Sequence, residues 1–379
     1  MAPLARGGSR QRATPASATK VASLEPYVRL GFAAAARDLT DVEAILDEIA
    51  DPPDAQLAVL RKQAIANMVS AALRHRGASA RADAILAGVD SLRRRPAAAI
   101  EDLRRGAEEA VARLASVSVE AIILKGIPLA ERLYGDAGWR AMHDVDLLVR
   151  RKDRGAAVRI LTAVGYEKGQ RDQHAVNLHR PPVSIDLHWA LRASPAYRLR
   201  EEEMWSTSIR TNGTLGRLLS DDYLLMLLSV SLAEDAGLGM AKVKHVCDLW
   251  CLVRALDATV DWPTWLASRS MERTDRVAVA GLSLALSLAD DPIGTRRCTE
   301  ALSAYPTEGR PDRRLALELL TEPRRSALGE AWFARIYPGS ITRLRVASLV
   351  QGFPHSLREI RLGRATSRMV HPIVRRASR

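Results

Sequence analysis

Three cysteines, seven lysines and 4% aromatic residues are all that this chain of 379 residues carries of those types. Each scarcity excludes something. Cys247, Cys251 and Cys298 are too few for a disulfide framework. Cys247 and Cys251 stand one helical turn apart with no second thiol pair, which argues against a zinc site. A reducing, cytoplasmic setting is the expectation. Long apolar runs are also missing. The longest, Tyr223 to Ala233, falls short of the about 20 residues a bilayer-crossing helix needs, so no transmembrane segment is expected. Met1 to Lys20 is rich in Arg, Ser and Ala but has no apolar centre. It reads as a disordered basic leader and not as a secretory signal.

Arginine is what the chain has in excess. The formal net charge is +12, which first suggests a polyanionic partner. The distribution removes that suggestion. Residues 1–20 hold Arg6, Arg10, Arg12 and Lys20 with no acid, and residues 341–379 hold nine arginines against Glu359. Between these tails, 43 basic and 43 acidic residues balance. A nucleic-acid enzyme is expected to carry its positive charge on the folded body. The tails therefore read as solvated segments, and nucleic acid is not the expected partner.

Five segments follow from the texture of the chain. Residues 1–23 are the basic leader. Residues 24–115 are helical, with apolar residues at three- and four-residue spacing, as in Ile65, Met68, Val69 and Ala72, and with breaks at Asp51-Pro52-Pro53 and Arg95-Pro96. Residues 116–210 contain the strands. Val117 to Leu124 is β-branched and ends at Gly126, and Pro128 opens a short helix. His143 to Val149 is the next strand, followed by a helix capped by Asp153 and stopped by Gly165. Gln173 to Arg180 and Val183 to Trp189 form a hairpin around Pro181-Pro182. Residues 211–337 return to helix, with an apolar helix from Tyr223 and another over Lys242 to Leu256. Residues 338–379 are the Arg-rich tail. The expected fold is α+β, a small mixed sheet between helical regions.

The strand segments carry the chemistry. Side chains alternate along a strand, so Asp144 and Asp146 share one face, and Ser184, Asp186 and His188 share one face of the hairpin's second strand. Carboxylates converging from two strands beside a glycine turn suit Mg²⁺ or Mn²⁺ carrying a nucleoside triphosphate. Asp144 and Asp146 would hold the ion, and Asp186 would hold a second ion or take the acceptor's proton. Gly126 lets a triphosphate approach the backbone, and Lys125 adds a point charge. His188 is either a half-buried strand histidine or a group on the substrate side. His174, His179 and His188 follow no recognised zinc-ligand spacing.

The order of these elements resembles the nucleotidyltransferase superfamily typified by DNA polymerase beta and the minimal nucleotidyltransferases. It looks most like the bacterial "uncharacterised nucleotidyltransferase" family. The similar residues are Leu124-Lys125-Gly126 with Ala130 to Tyr134, and Arg-x-Met-x-Asp-x-Asp-Leu-Leu-Val at Arg140 to Val149. They continue in Leu-x-x-x-Gly-Tyr at Leu161 to Tyr166 and in Asp186-Leu187-His188-Trp189. The resemblance covers about residues 115–190, with weaker similarity to about residue 256. It implies a nucleotidyltransferase core that transfers a nucleoside monophosphate from an NTP, with ATP as the default, to an acceptor the sequence does not identify. It also implies Asp144, Asp146 and Asp186 as the metal carboxylates, and Lys125 and Gly126 as the phosphate-side turn. Arg140 would orient the Asp strand or touch phosphate, and Lys244 on the later helix would reach the triphosphate. The turn departs from the superfamily's Gly-Ser or Gly-Gly, because Ile127 follows Gly126 and offers no hydroxyl.

Three other readings stay open at this level: a catalytically degenerate nucleotide-binding regulator, an Asp-x-Asp glycosyltransferase, and an RNA-modifying transferase that uses its tails. Removing residues 1–20 and 341–379 separates the last from the rest. A small-molecule transferase keeps its turnover after the deletion, and an RNA enzyme loses salt-sensitive binding measured by filter retention.

Overall fold

A computed structural model describes residues 24–339, apart from short segments at 75–79, 94–95, 172–173, 193–195, 212–214, 307–308 and 322–325. The expected leader and nearly all of the Arg-rich tail lie outside the described residues. Six helices come first: α1 (Glu25–Ala36), α2 (Leu39–Glu48), α3 (Pro53–Lys62), α4 (Ala66–Arg74), α5 (Ala80–Arg93) and α6 (Pro96–Ala115). Pro53 and Pro96 open α3 and α6, where the first helical turn has no use for the missing N–H.

Seven strands then form one mixed sheet. They are β1 (Ala121–Ile123), β2 (Val145–Val149), β3 (Glu167–Arg171), β4 (Ala175–Arg180), β5 (Val183–His188), β6 (Ile209–Arg210) and β7 (Arg217–Leu218), in the order β3-β4-β5-β2-β1-β7-β6. Helix α7 (Ile127–Tyr134) joins β1 to β2, α8 (Arg154–Ala163) joins β2 to β3, and α9 (Glu201–Thr207) leads into β6. Strands β2 and β5 are parallel, as are β1 and β7, and the other neighbours are antiparallel. The rest is helical: α10 (Asp221–Gly237), α11 (Val243–Leu256), α12 (Trp262–Met271), α13 (Asp275–Ala289), α14 (Arg296–Ser303), α15 (Arg313–Thr321) and α16 (Ala327–Ile336). The fold is α+β and mostly helical, as the sequence predicts. Among the described residues, no helix is long and apolar enough to cross a membrane.

Alternation decides which face of the sheet is dry. Ile185 and Leu187 of β5 stand in register with Val145 and Leu147 of β2, Val183 shares their face, and all are buried. Helix α6 covers this face and comes close because it carries a glycine. A Cβ on Gly106 would lie 2.6 Å from Val183 Cγ1. The opposite face bears Asp146 and Leu148 of β2, and Asp186 and His188 of β5. Helix α10 is apolar on nearly all sides from Tyr223 to Ala233, as a largely buried helix must be. It packs on α13 at Gly281, where a Cβ would lie 2.0 Å from the Ser229 carbonyl oxygen.

The structure differs from the sequence reading at five places. The strand expected over Val117 to Leu124 is only Ala121–Ile123, because a turn at Ser116 to Ser118, with Ser118 at φ +59°, ends α6. Strand β2 begins at Val145, so Asp144 sits just before the strand and not within it. Strand β3 consists of Glu167, Lys168, Gly169, Gln170 and Arg171, all exposed, and pairs only through its backbone with β4. It has no apolar alternation to announce it. The β6–β7 hairpin has two residues per strand, too few for a pattern, yet β7 pairs with β1 and carries the sheet to Leu218. Asp153 makes no side-chain cap, since a 3₁₀ turn over Arg151–Asp153 precedes α8. The Gly165 stop is as expected. Its φ is +95°, and the Gly165 and Tyr166 N–H groups bond the Thr162 and Leu161 carbonyls.

One buried carboxylate ties the helical half to the sheet. Asp248 on α11 accepts from Tyr134 Oη at 2.8 Å and from Arg140 Nε at 2.9 Å. Tyr134 ends α7 and Arg140 lies in the segment that enters β2. Asp248 is 1% exposed and Arg140 5%. Removing one member of such a pair leaves the other charge buried alone. Asp248→Ala is therefore expected to destabilise the protein by about 3–5 kcal/mol in urea unfolding. Tyr134→Phe, which removes only a neutral donor, is expected to destabilise it by about 1 kcal/mol.

Candidate active site

Parallel pairing of β2 and β5 sets Asp146 directly opposite Asp186, and antiparallel pairing sets Asn177 of β4 opposite Asp186. The three side chains form one cross-strand row. Asn177 Nδ2 donates to Asp186 Oδ1 at 2.7 Å and to Ser184 Oγ at 2.9 Å, which fixes the Asp186 carboxylate. His188 lies two residues beyond Asp186 on the same face, and its Nε2 is 3.4 Å from Asp146 Oδ1. Asp146, Asp186 and His188 each bring one donor atom within 4.8 Å of the others. Both ring nitrogens of His188 are buried without a hydrogen-bond partner.

The β1–α7 turn supplies the positive charge. Lys125 Nζ stands 3.3 Å from Asp146 Oδ1. The Asp146 charge raises the Lys125 pKa against the opposing effect of burial. Burial alone would raise the Asp146 carboxyl. The Lys125 charge is the largest effect that opposes it, and the carboxyl lies below the usual carboxylate range. Gly126 follows with φ +82° and ψ −124°, a conformation closed to other residues, and a Cβ there would meet nothing within 4 Å. The turn is thus open on its outer side. Asp144 is pushed up by burial and by the neighbouring Asp146.

Helices α10 and α11 build the facing wall. Lys125, Gly126, Asp144 and Asp146 share a cavity of about 220 Å³ with Asp235 of α10 and with Lys244, His245 and Asp248 of α11. Lys244 Nζ donates to the Ala141 carbonyl at 3.0 Å. Burial and the nearby Arg140 push its pKa down to about 8. Arg140 also lines the cavity, but its Nε is committed to Asp248. A second cavity of about 400 Å³ lies along β3, β4 and β5, lined by Gln170, His174, Asn177, Asp186 and His188. Burial and the adjacent His188 lower the His174 pKa to about 4, so that ring is neutral. Asp146 belongs to the first cavity and Asp186 to the second.

The structure therefore brings Lys125, Gly126, Arg140, Asp144, Asp146 and Lys244 around one cavity, and Asp186 and His188 around its neighbour. Asp144 lies outside the 4.8 Å group formed by Asp146, Asp186 and His188. Two carboxylates and an imidazole with orphaned nitrogens are a donor set that fits a divalent cation. Sequence reasoning missed Asn177, Asp235 and His245. Asn177 left a trace, a polar amide between the buried Val176 and Leu178. Asp235 Oδ2 and His245 Nδ1 approach to 3.5 Å; Asp235 lies in no motif, and His245 stands next to Lys244 without a signal of its own.

The family model described as "Uncharacterised nucleotidyltransferase" matches residues 50–290, from just before α3 to the end of α13. No curated protein matches the chain. Among solved structures, the chain is similar to an antigenic nucleotidyltransferase-like protein from Paracoccidioides brasiliensis. The identity is 20% and the TM-score 0.31, over 50% of this chain and 93% of that one.

Proposed function

The chain belongs to the uncharacterised nucleotidyltransferase family, and we propose on that premise that it moves a nucleoside monophosphate from an NTP to a hydroxyl or phosphate oxygen. The acceptor is a small molecule or a polypeptide. The reading assigns a divalent ion, Mg²⁺ or Mn²⁺, to Asp146 and Asp186, with Asp144 at the rim. The observation that carries it is the register of Asp146 against Asp186, beside a cavity that holds Lys125, Gly126 and Lys244.

In this reading the triphosphate occupies the 220 Å³ cavity, its charge met by Lys125 and Lys244, with the open backbone of Gly126 against it. Arg140 acts through Asp248, holding the entry to β2 in place. The acceptor occupies the 400 Å³ cavity, beside Asp186. The acceptor oxygen forms a bond to the α-phosphorus, the bond from that phosphorus to the bridging oxygen breaks, and pyrophosphate leaves. Asp186, held by Asn177, takes the acceptor's proton. The bound ion would neutralise charge developing on the phosphate oxygens and align the attacking and leaving groups. The six helices before β1 occupy the place where an Asp-x-Asp glycosyltransferase would carry an α/β nucleotide-binding half.

Incubation with each α-labelled NTP, Mg²⁺ or Mn²⁺ and a cell extract is expected to put label into an acceptor. Asp146→Asn and Asp144→Asn are each expected to lower transfer by about a thousandfold, equivalent to about 4 kcal/mol of transition-state stabilisation. Labelling unchanged by both substitutions would overturn the site assignment.

Lys244 gives a pH dependence. Its ammonium is protonated below about 8 and loses its charge above. The charged form is the one that attracts phosphate. Affinity for a non-hydrolysable NTP is therefore expected to be steady below that pH and to weaken above it. Lys244→Arg, whose guanidinium stays protonated, is expected to remove the decline in equilibrium titrations.

A further inference from the structure

His188 has an unusual position for a strand histidine. Its side chain is 15% exposed, and both ring nitrogens are buried without a hydrogen-bond partner. Its Nε2 faces Asp146 Oδ1 at 3.4 Å without the alignment of a hydrogen bond, and that same oxygen already faces Lys125 Nζ at 3.3 Å. An imidazole kept only as an orienting partner of Asp146 would be expected to bond it. One ring nitrogen instead lies within 4.8 Å of a carboxylate oxygen of both Asp146 and Asp186. The spacing Asp186-x-His188 puts it there, since residues two apart on β5 share a face.

We propose that His188 Nε2 is a ligand of the divalent ion beside Asp146 and Asp186, so that the site favours a first-row transition ion such as Mn²⁺ over Mg²⁺. The physical reason is donor type. Mg²⁺ is a hard ion that keeps oxygen ligands and waters around it. Imidazole nitrogen is a weaker partner for Mg²⁺ than for first-row transition ions. A set of two carboxylates and one imidazole therefore shifts selectivity away from Mg²⁺ relative to a set of carboxylates alone. The orphaned ring nitrogen and the 4.8 Å grouping are accounted for together, since coordination satisfies an atom that no protein group satisfies. The inference rests on the nucleotidyl-transfer reading only for the presence of a divalent site.

The test is electron spin echo spectroscopy of Mn²⁺ added to the full chain without nucleotide, with Mg²⁺ competition followed by the free Mn²⁺ signal. Nitrogen-14 modulation from one imidazole is expected in the wild type and in His174→Gln, and is lost in His188→Gln. The preference for Mn²⁺ over Mg²⁺ is expected to fall at least about tenfold in His188→Gln. Mn²⁺ bound without nitrogen modulation, or modulation that survives His188→Gln, overturns the proposal and leaves the carboxylate site standing. No Mn²⁺ uptake by the wild type overturns the proposal together with the metal assignment beneath it. The wild-type spectrum decides the case even if the variant fails to fold.

Discussion

A nearly dry carboxylate has to be matched by positive charge, and Asp146 sets that demand for this protein. It is 4% exposed, lies in the middle strand of the sheet, and has Asp186 beside it in register. Burial of an unpaired carboxylate would favour the protonated form. Lys125 answers that demand at 3.3 Å, so Asp146 stays ionised. Asp144 and Asp186 add further negative charge that Lys125 alone does not balance. Residues 21–340 balance their basic and acidic side chains in number, so the surplus is a local one. Such a surplus is what a divalent cation and its phosphates fit.

The rest of the architecture keeps that cluster open on one face and closed on the other. Helix α6 seals the apolar face of the sheet, using Gly106 to come close to Val183. Helices α10 and α11 stand off the polar face and leave a cavity between. The distance is held by Asp248, which receives Tyr134 and Arg140 from either side of the segment that enters β2. That buried pair matters less for its energy than for its position: it aims Lys244, four residues earlier on α11, over the Asp strand. Lys244 is itself bonded to the Ala141 carbonyl, in the same segment as Arg140.

Much of the site was legible because strand alternation is simple. Two residues on one strand share a face, so the sequence alone pairs Asp186 with His188, and it sets Gly126 at the end of a β-branched strand. The helical flanks and their proline breaks followed from periodicity. The parts that were not legible share a physical cause. Strand β3 is held by backbone pairing and shows no apolar pattern, and the β6–β7 hairpin is too short to have one. The parallel register that joins Asp146 to Asp186 is a long-range fact, set by how α8 and the β3–β5 strands return the chain. Alternation alone puts Asp144 on the strand with Asp146, yet β2 starts one position later. The resemblance gives Arg140 a role in orientation or on phosphate. Its partner, more than a hundred residues away on α11, is written in no local spacing.

The most direct measurement is the identity of the leaving group. Phosphorus-31 NMR of an NTP turning over in a cell extract supplemented with the protein separates the two ways of breaking a triphosphate. Protein-dependent growth of pyrophosphate, with a new phosphate-ester signal from the α-phosphorus, is the result expected here. Protein-dependent growth of nucleoside diphosphate instead, with the γ-phosphorus in the product or released as orthophosphate, would contradict nucleotidyl transfer at this site.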